Sequence, residues 1–159
     1  MTVTAPLAGR LEFLARVTGK ECLHLLDTDR RLFAIPFTAE VARAMTADPV
    51  LAERLDAFVG RFGRLQDTLG DKLLPALLLG LAETPGAAMD NLDKAEKFGL
   101  IEWVDVWMEL RRVRNQMVHY YIEDLTILSS PLRRGHDFVP TLVASAHRGV
   151  AEARRVLWA

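Results

Sequence analysis

Ile101-Glu102-Trp103-Val104-Asp105-Val106-Trp107-Met108-Glu109-Leu110-Arg111-Arg112-Val113-Arg114-Asn115-Gln116-Met117-Val118-His119-Tyr120-Tyr121 has the period of an amphipathic helix. At about 100° per residue, Trp103, Val106, Trp107, Leu110, Val113, Met117 and Tyr121 fall on one side. The opposite arc carries Asp105, Arg112, Asn115, Gln116 and His119. The same period governs the chain on either side. Upstream, Leu7, Leu11, Leu14, Val17, Cys22, Leu25 and Leu26 recur at helical spacing, with Pro6 at the start and Asp27 to Arg31 closing the segment. Thr38 reads as the cap of a short helix through Ala47, and Asp48-Pro49 repeats the start signal. A long pattern then runs from Leu51 to about Leu81 with Gly60, Gly63, Gly70 and Pro75 inside it. These residues predict a bend near Pro75 or close approach of a neighbouring helix at the glycines. Thr84-Pro85-Gly86 reads as a loop, and Met89 to Phe98 as a helix ended by Gly99 in a left-handed cap. Ser129-Ser130-Pro131 and Arg133-Arg134-Gly135 read as a further loop before a last helix from Val139 to Leu157. No period-2 segment, internal repeat or low-complexity tract interrupts this pattern. The expected fold is an all-α bundle of five to six helices with a long antiparallel pair at its centre.

The chain has 159 residues, half of them hydrophobic and 26% charged, which suits one globular domain with its own core. A net charge of −1 argues against a broadly basic nucleic-acid binder, so any RNA contact must come from a local patch or from a patch doubled by a second chain. Cys22 is the only cysteine. That excludes an intrachain disulfide and a thiolate metal cluster, and its apolar surroundings predict a buried, inert thiol. The pattern of a signal peptide is missing, and the longest apolar run, Leu73 to Ala82, is too short to span a bilayer. These features predict a soluble, reduced, cytoplasmic domain. No cofactor is expected.

Arg114-Asn115-Gln116-Met117-Val118-His119-Tyr120-Tyr121 gathers a cation, an imidazole and phenols within two helical turns. Such groups can hold a phosphodiester, move its protons and be modified. Arg111, Asn115 and His119 stand at i, i+4 and i+8, in one surface row. Arg114 and His119 are five apart, roughly 140° around the axis, so one undistorted helix does not bring them onto a single ligand atom. Convergence requires a frayed helix end or a second copy of the motif, which points to a homodimer. Two sets of Arg111, Arg112 and Arg114 would also attract a phosphate backbone although each chain is nearly neutral. With 16 arginines and four histidines, a bare Arg-x4-His arises by chance about 0.4 times. A tyrosine two residues further lowers that to about 0.005, so the information lies in the full string.

The string Arg114-Asn115-x-x-Val118-His119-x-Tyr121 resembles the Arg-x4-His-x-Tyr signature of HEPN-domain toxins, in particular the HepT-like group that pairs with minimal nucleotidyltransferase antitoxins. Arg61-Phe62-Gly63-Arg64-Leu65-Gln66-Asp67-Thr68-Leu69 resembles the central helix of that group, as does the segment Asp90-Asn91-Leu92 to Leu100. The resemblance spans roughly Val59 to Asp124. It leaves residues 1–48 as flanking helices, 49–124 as a core with the motif and 125–159 as a C-terminal helical extension of one domain. It implies a helical homodimer acting as a metal-independent endoribonuclease, in which the ribose 2′-hydroxyl attacks the adjacent phosphate to leave a 2′,3′-cyclic phosphate. On the matching positions, His119 would be the general acid and base and Arg114 would stabilise transition-state charge. Asn115 would orient His119 or the phosphate. Arg111 and Arg112, from the charge of two facing copies rather than from the family motif, are the expected RNA-binding residues. Tyr121 would be the tyrosine that the antitoxin adenylylates, placing anionic bulk in the cleft. Tyr120 leaves open which phenol is modified.

Two other readings stand beside this one: a non-catalytic nucleotide- or substrate-binding subunit of a nucleotidyltransferase complex, and a plain helical adaptor. Trp103 and Trp107 read as core residues on the apolar arc. His24, His136 and His147 have no ligand spacing and no evident partner acid, and Arg133-Arg134 and Arg154-Arg155 read as solvated face residues.

Overall fold

The computed structural model describes residues 3–159, the side chains of 122, 125 and 126 excepted. All regular structure among them is helical. The elements are α1 (Ala5–Leu32), α2 (Ala39–Ala44) with a 3₁₀ turn (Met45–Ala47), and α3 (Pro49–Asp67), which passes through a π-helical turn (Thr68–Leu73) into α4 (Leu74–Gly80). They continue with α5 (Ala88–Lys97), α6 (Val104–Glu123) and α7 (Leu125–Leu157). Counting α3, the π turn and α4 as one interrupted rod, the described residues form six helices, within the expected five to six.

The cap expected at Thr38 and the start signal at Asp48 are in place, accepting from the Val41 amide at 3.3 Å and the Leu51 amide at 3.1 Å, and Thr4 caps α1 by accepting from Leu7 at 3.4 Å. Each satisfies an amide that helix geometry leaves without a partner. Gly99 closes the segment after α5 at φ +72°, where a side chain would be strained. The expected disturbance of the long third rod falls slightly upstream of Pro75, in the π turn at Thr68–Leu73. Pro75 itself sits at the start of α4, where a missing amide costs little.

Residue-to-residue contacts fix the helix directions. Arg61 reaches His24 and Thr28, and Thr68 reaches Glu21, so α1 and α3 are antiparallel. His136 meets Asp29, and Leu11 and Val156 both lie against Gly80, so α7 runs antiparallel to α1. One buried cluster runs through the whole bundle, from Leu11 on α1 through Phe58, Phe62 and Leu110 to Val156 on α7. Cys22 lies in it, and burial pushes its thiol up to about 11, which fits an inert packing role.

Two expectations fail here. The segment Ser129-Ser130-Pro131 to Arg133-Arg134-Gly135 is not a loop: α7 runs unbroken through Pro131 and Pro140. The buried residues Leu128, Leu132, Gly135, Val139 and Leu142 keep a helical spacing of three and four straight through it. Burying each such leucine contributes about 1.5–3 kcal/mol. Together they offset an interior proline's cost of roughly 3 kcal/mol. Gly135 is a contact point: a Cβ there would stand 2.7 Å from the Met117 sulfur. The second failure concerns Trp103, which is 59% exposed. It is the extended N-cap residue of α6, so the helical arc does not apply to it. The Val104 amide that follows it is capped by Glu96 of α5 at 2.6 Å.

Candidate functional site

The motif lies on α6, and α3 with its π turn holds that helix from one side. Gly70 meets Trp107, Asp67 meets Arg114, and Tyr121 hydrogen-bonds Asp56. These contacts step in opposite directions along the two rods, so the pair is antiparallel. The arginine lies over a notch. A Cβ on Gly63 would come within 3.1 Å of the Arg114 Nε, so a side chain there would crowd the guanidinium where it crosses α3. One turn further on, Asp67 receives it at 2.9 Å, and a second nitrogen donates to the Asn115 side-chain Oδ1 at 3.4 Å.

Arg111, Asn115 and His119 do form one row: together with Met108, Arg112, Gln116 and Tyr120 they line an open surface groove of about 500 Å³. His119 is exposed, and among the described residues no hydrogen bond or ion pair engages it. Its neighbour is the Tyr120 ring, edge-on at 5.0 Å between centroids. Arg114 and His119 border an adjoining depression with Asn115, Val118 and Glu123. The Arg114 guanidinium is nevertheless turned toward Asp67 on α3. α6 stays regular to Glu123, and the Asp124 amide closes on the Tyr120 carbonyl at 2.9 Å. A frayed end therefore does not bring the two groups together.

The phenols point to different surroundings. Tyr120 lines the groove with His119. Tyr121 is half-buried, and desolvation, then its hydrogen bond to the Asp56 carboxylate, raises its pKa above 10.0. Arg111 is unpaired among the described residues, whereas Arg112 pairs with Glu109. Arg134 also reaches Glu109, at 3.6 Å, and it bonds Gln116, so it is tied across the α6–α7 contact. His136 has a partner acid after all: its Nδ1 lies 2.6 Å from Asp29, and its ring stacks on Phe33 at 4.1 Å. The acid is 107 positions away in sequence, which no local spacing reveals.

Between the π turn, α5 and α6 lies a deeper cleft of about 380 Å³, whose walls include Gln66, Asp71, Asn91, Trp107, Arg111 and Arg114. Asn91 ties its rim, accepting from the Gly86 amide at 2.8 Å and donating to the Gly86 carbonyl at 3.1 Å. Gly63, Asp67, Asp56 and Gln66 have no part in the Arg-x4-His-x-Tyr string. Gly63, Gln66 and Asp67 do lie in the stretch Arg61 to Leu69 singled out in the sequence, but nothing there marked them as partners of the motif, and Asp56 lies outside it. Among the described residues, no group of three or more His, Cys, Asp or Glu side chains could hold a metal ion. Among the described residues, no helix is long and apolar enough to cross a membrane. No protein-family model, curated protein or solved structure matches this chain, so the functional reading rests on the site itself.

Proposed function

We propose that this chain is an endoribonuclease toxin of the HepT-like HEPN kind, working in the cytoplasm and silenced when a partner nucleotidyltransferase adenylylates Tyr121. The observation that carries the reading is an exposed, unengaged His119 in one groove with Arg111 and Asn115, with Arg114 on the adjoining depression. In the reaction the 2′-hydroxyl gives its proton to an imidazole as its oxygen bonds to phosphorus. The P–O5′ bond breaks, the leaving oxygen takes a proton from an imidazolium, and a 2′,3′-cyclic phosphate remains. Arginine neutralises the charge that builds on the phosphoryl oxygens. A homodimer packed through this face would set two copies of His119 and Arg114 across one cleft. The exposed Met108 and Val118 beside the row supply apolar surface for that association.

The test is cleavage of RNA by purified protein in the presence of a chelator, with the ends of the products identified. His119→Ala is expected to lower the rate by about 10²–10⁴-fold without loss of helical circular dichroism. Equal cleavage by the variant would remove His119 from the mechanism. Mass spectrometry after co-expression with the nucleotidyltransferase should find AMP on Tyr121, and AMP on Tyr120 would move the switch by one residue. The second reading, a non-catalytic subunit of a nucleotidyltransferase complex, draws on the Arg114 guanidinium being held by Asp67 and turned away from His119. It predicts a stable complex with the transferase and no cleavage of any RNA.

A further inference from the structure

The deeper cleft beside the motif has features that folding alone does not use. Gln66 is 4% exposed, lines the cleft, and its Oε1 has no hydrogen-bond partner. An unsatisfied buried amide costs about 1–3 kcal/mol. The Arg114 Nε is likewise buried without an acceptor. Asp71 and Arg111, which also line the cleft, are unpaired among the described residues. The wall between them is Trp107, 3% exposed and pressed on Gly70, where a Cβ would come within 3.0 Å of the indole. Gly70 stands in the π turn, and such turns are frequent where a helix is adapted to a ligand.

An amide that can present either a donor or an acceptor, a carboxylate acceptor and a planar aromatic wall together suit the edge of a nucleobase. The volume falls within the range of small-molecule sites. Arg111 and Asn115 line both this cleft and the groove of His119. Eight residues, roughly 12 Å of helix rise, separate Arg111 from His119. One short single strand can therefore place a base in the cleft and a phosphate at the histidine. We infer that this cleft is a base-reading subsite for an unstacked nucleotide of the RNA strand near the scissile phosphate. Gln66 and Asp71 read the base edge, and Arg111 neutralises the nucleotide's phosphate. This inference rests on the ribonuclease reading for its substrate, but the binding itself is measurable without cleavage.

Trp107 is the reporter. Of the three tryptophans, Trp103 and Trp158 are exposed, so a Trp103→Phe, Trp158→Phe double variant leaves one buried indole at the cleft. Titration with the four nucleoside 5′-monophosphates should change its emission saturably and unequally, whereas ribose 5-phosphate and inorganic phosphate should not. Gln66→Leu, nearly isosteric, should weaken the preferred nucleotide by about tenfold, and the exposed Asp71→Asn should weaken it too. On a set of single-stranded oligonucleotides, Gln66→Leu should also flatten the base preference of cleavage. Gln66-dependent nucleotide binding in a protein that cleaves no RNA would support the cleft and sink the nuclease. His119-dependent cleavage whose base preference survives both substitutions, with no nucleotide distinguished from phosphate, would overturn the subsite and leave the nuclease standing.

Discussion

α6 has two seams, and they are built from opposite materials. Toward α7, Met117 is fully buried against Gly135, with Phe58 beside it, and Leu128 and Leu132 extend the same apolar stripe. Toward α3 the contacts are a guanidinium lying over Gly63 to reach Asp67, a phenol on Asp56 and an indole on Gly70. The first seam excludes water and fixes where α6 lies. The second leaves charges half-exposed, borders a cleft and holds a buried amide oxygen without a partner, an arrangement that is costly for folding. One helix thus carries a packed apolar seam on one face and a polar, partly open one on the other.

The largest expected effect is on the α7 seam. Met117→Ala should cost about 2–5 kcal/mol by urea denaturation, and a loss below about 1 kcal/mol would mean that this seam does not hold the fold. Across the helix, Asp67→Asn should cost only about 0.2–1 kcal/mol, because both partners are partly exposed. By releasing Arg114 it should nonetheless change the RNA cleavage rate by about tenfold, with Asp67→Glu restoring part of the effect. If Asp67→Asn costs as much as Met117→Ala, the contrast between the seams is lost.

Tyr121 gives a finer test. Its pKa is raised, so the fold favours the neutral phenol, and that stabilisation is present below pH 10.0 and lost as pH rises through the higher folded value. Absorbance titration should find one phenol of the two ionising late, and Tyr121→Phe should remove that late step. The smallest effect lies off both seams, where α1 meets the π turn. Burial raises Glu21 above 4.5 although Thr68 donates to it at 3.1 Å. The contribution of Glu21 to stability is therefore full below pH 4.5 and lost as pH rises through the raised value. Glu21→Gln should be the more stable protein at neutral pH, with a margin that shrinks on acidification. A margin that does not change with pH would mean that the carboxylate is not the cause.

The helices were legible because their signals are local. Thr38, Asp48-Pro49 and Gly99 mark ends through the backbone groups nearest to them, and apolar spacing marks faces. The Arg111, Asn115 and His119 row was legible for the same reason, since helical geometry alone puts those side chains together. Pro131 and Gly135 misled because their local cost is real, and only the buried stripe of α7, filled by α1 and α6, outweighs it. Trp103 misled because α6 begins at Val104 and not at Ile101, which leaves the indole on the extended cap residue and off the helical arc.

By itself the amino-acid sequence determined an all-helical chain, the faces of its helices and a motif whose residue types suit phosphodiester chemistry. Only the tertiary structure decided that Arg114 is held over Gly63 by Asp67, that Tyr121 rests on Asp56, that His136 meets Asp29 and that an unsatisfied Gln66 lines a cleft. Period and capping depend on neighbours within a turn or two, whereas these pairings join residues some 47 to 107 positions apart. They exist only once the core has set the helices side by side.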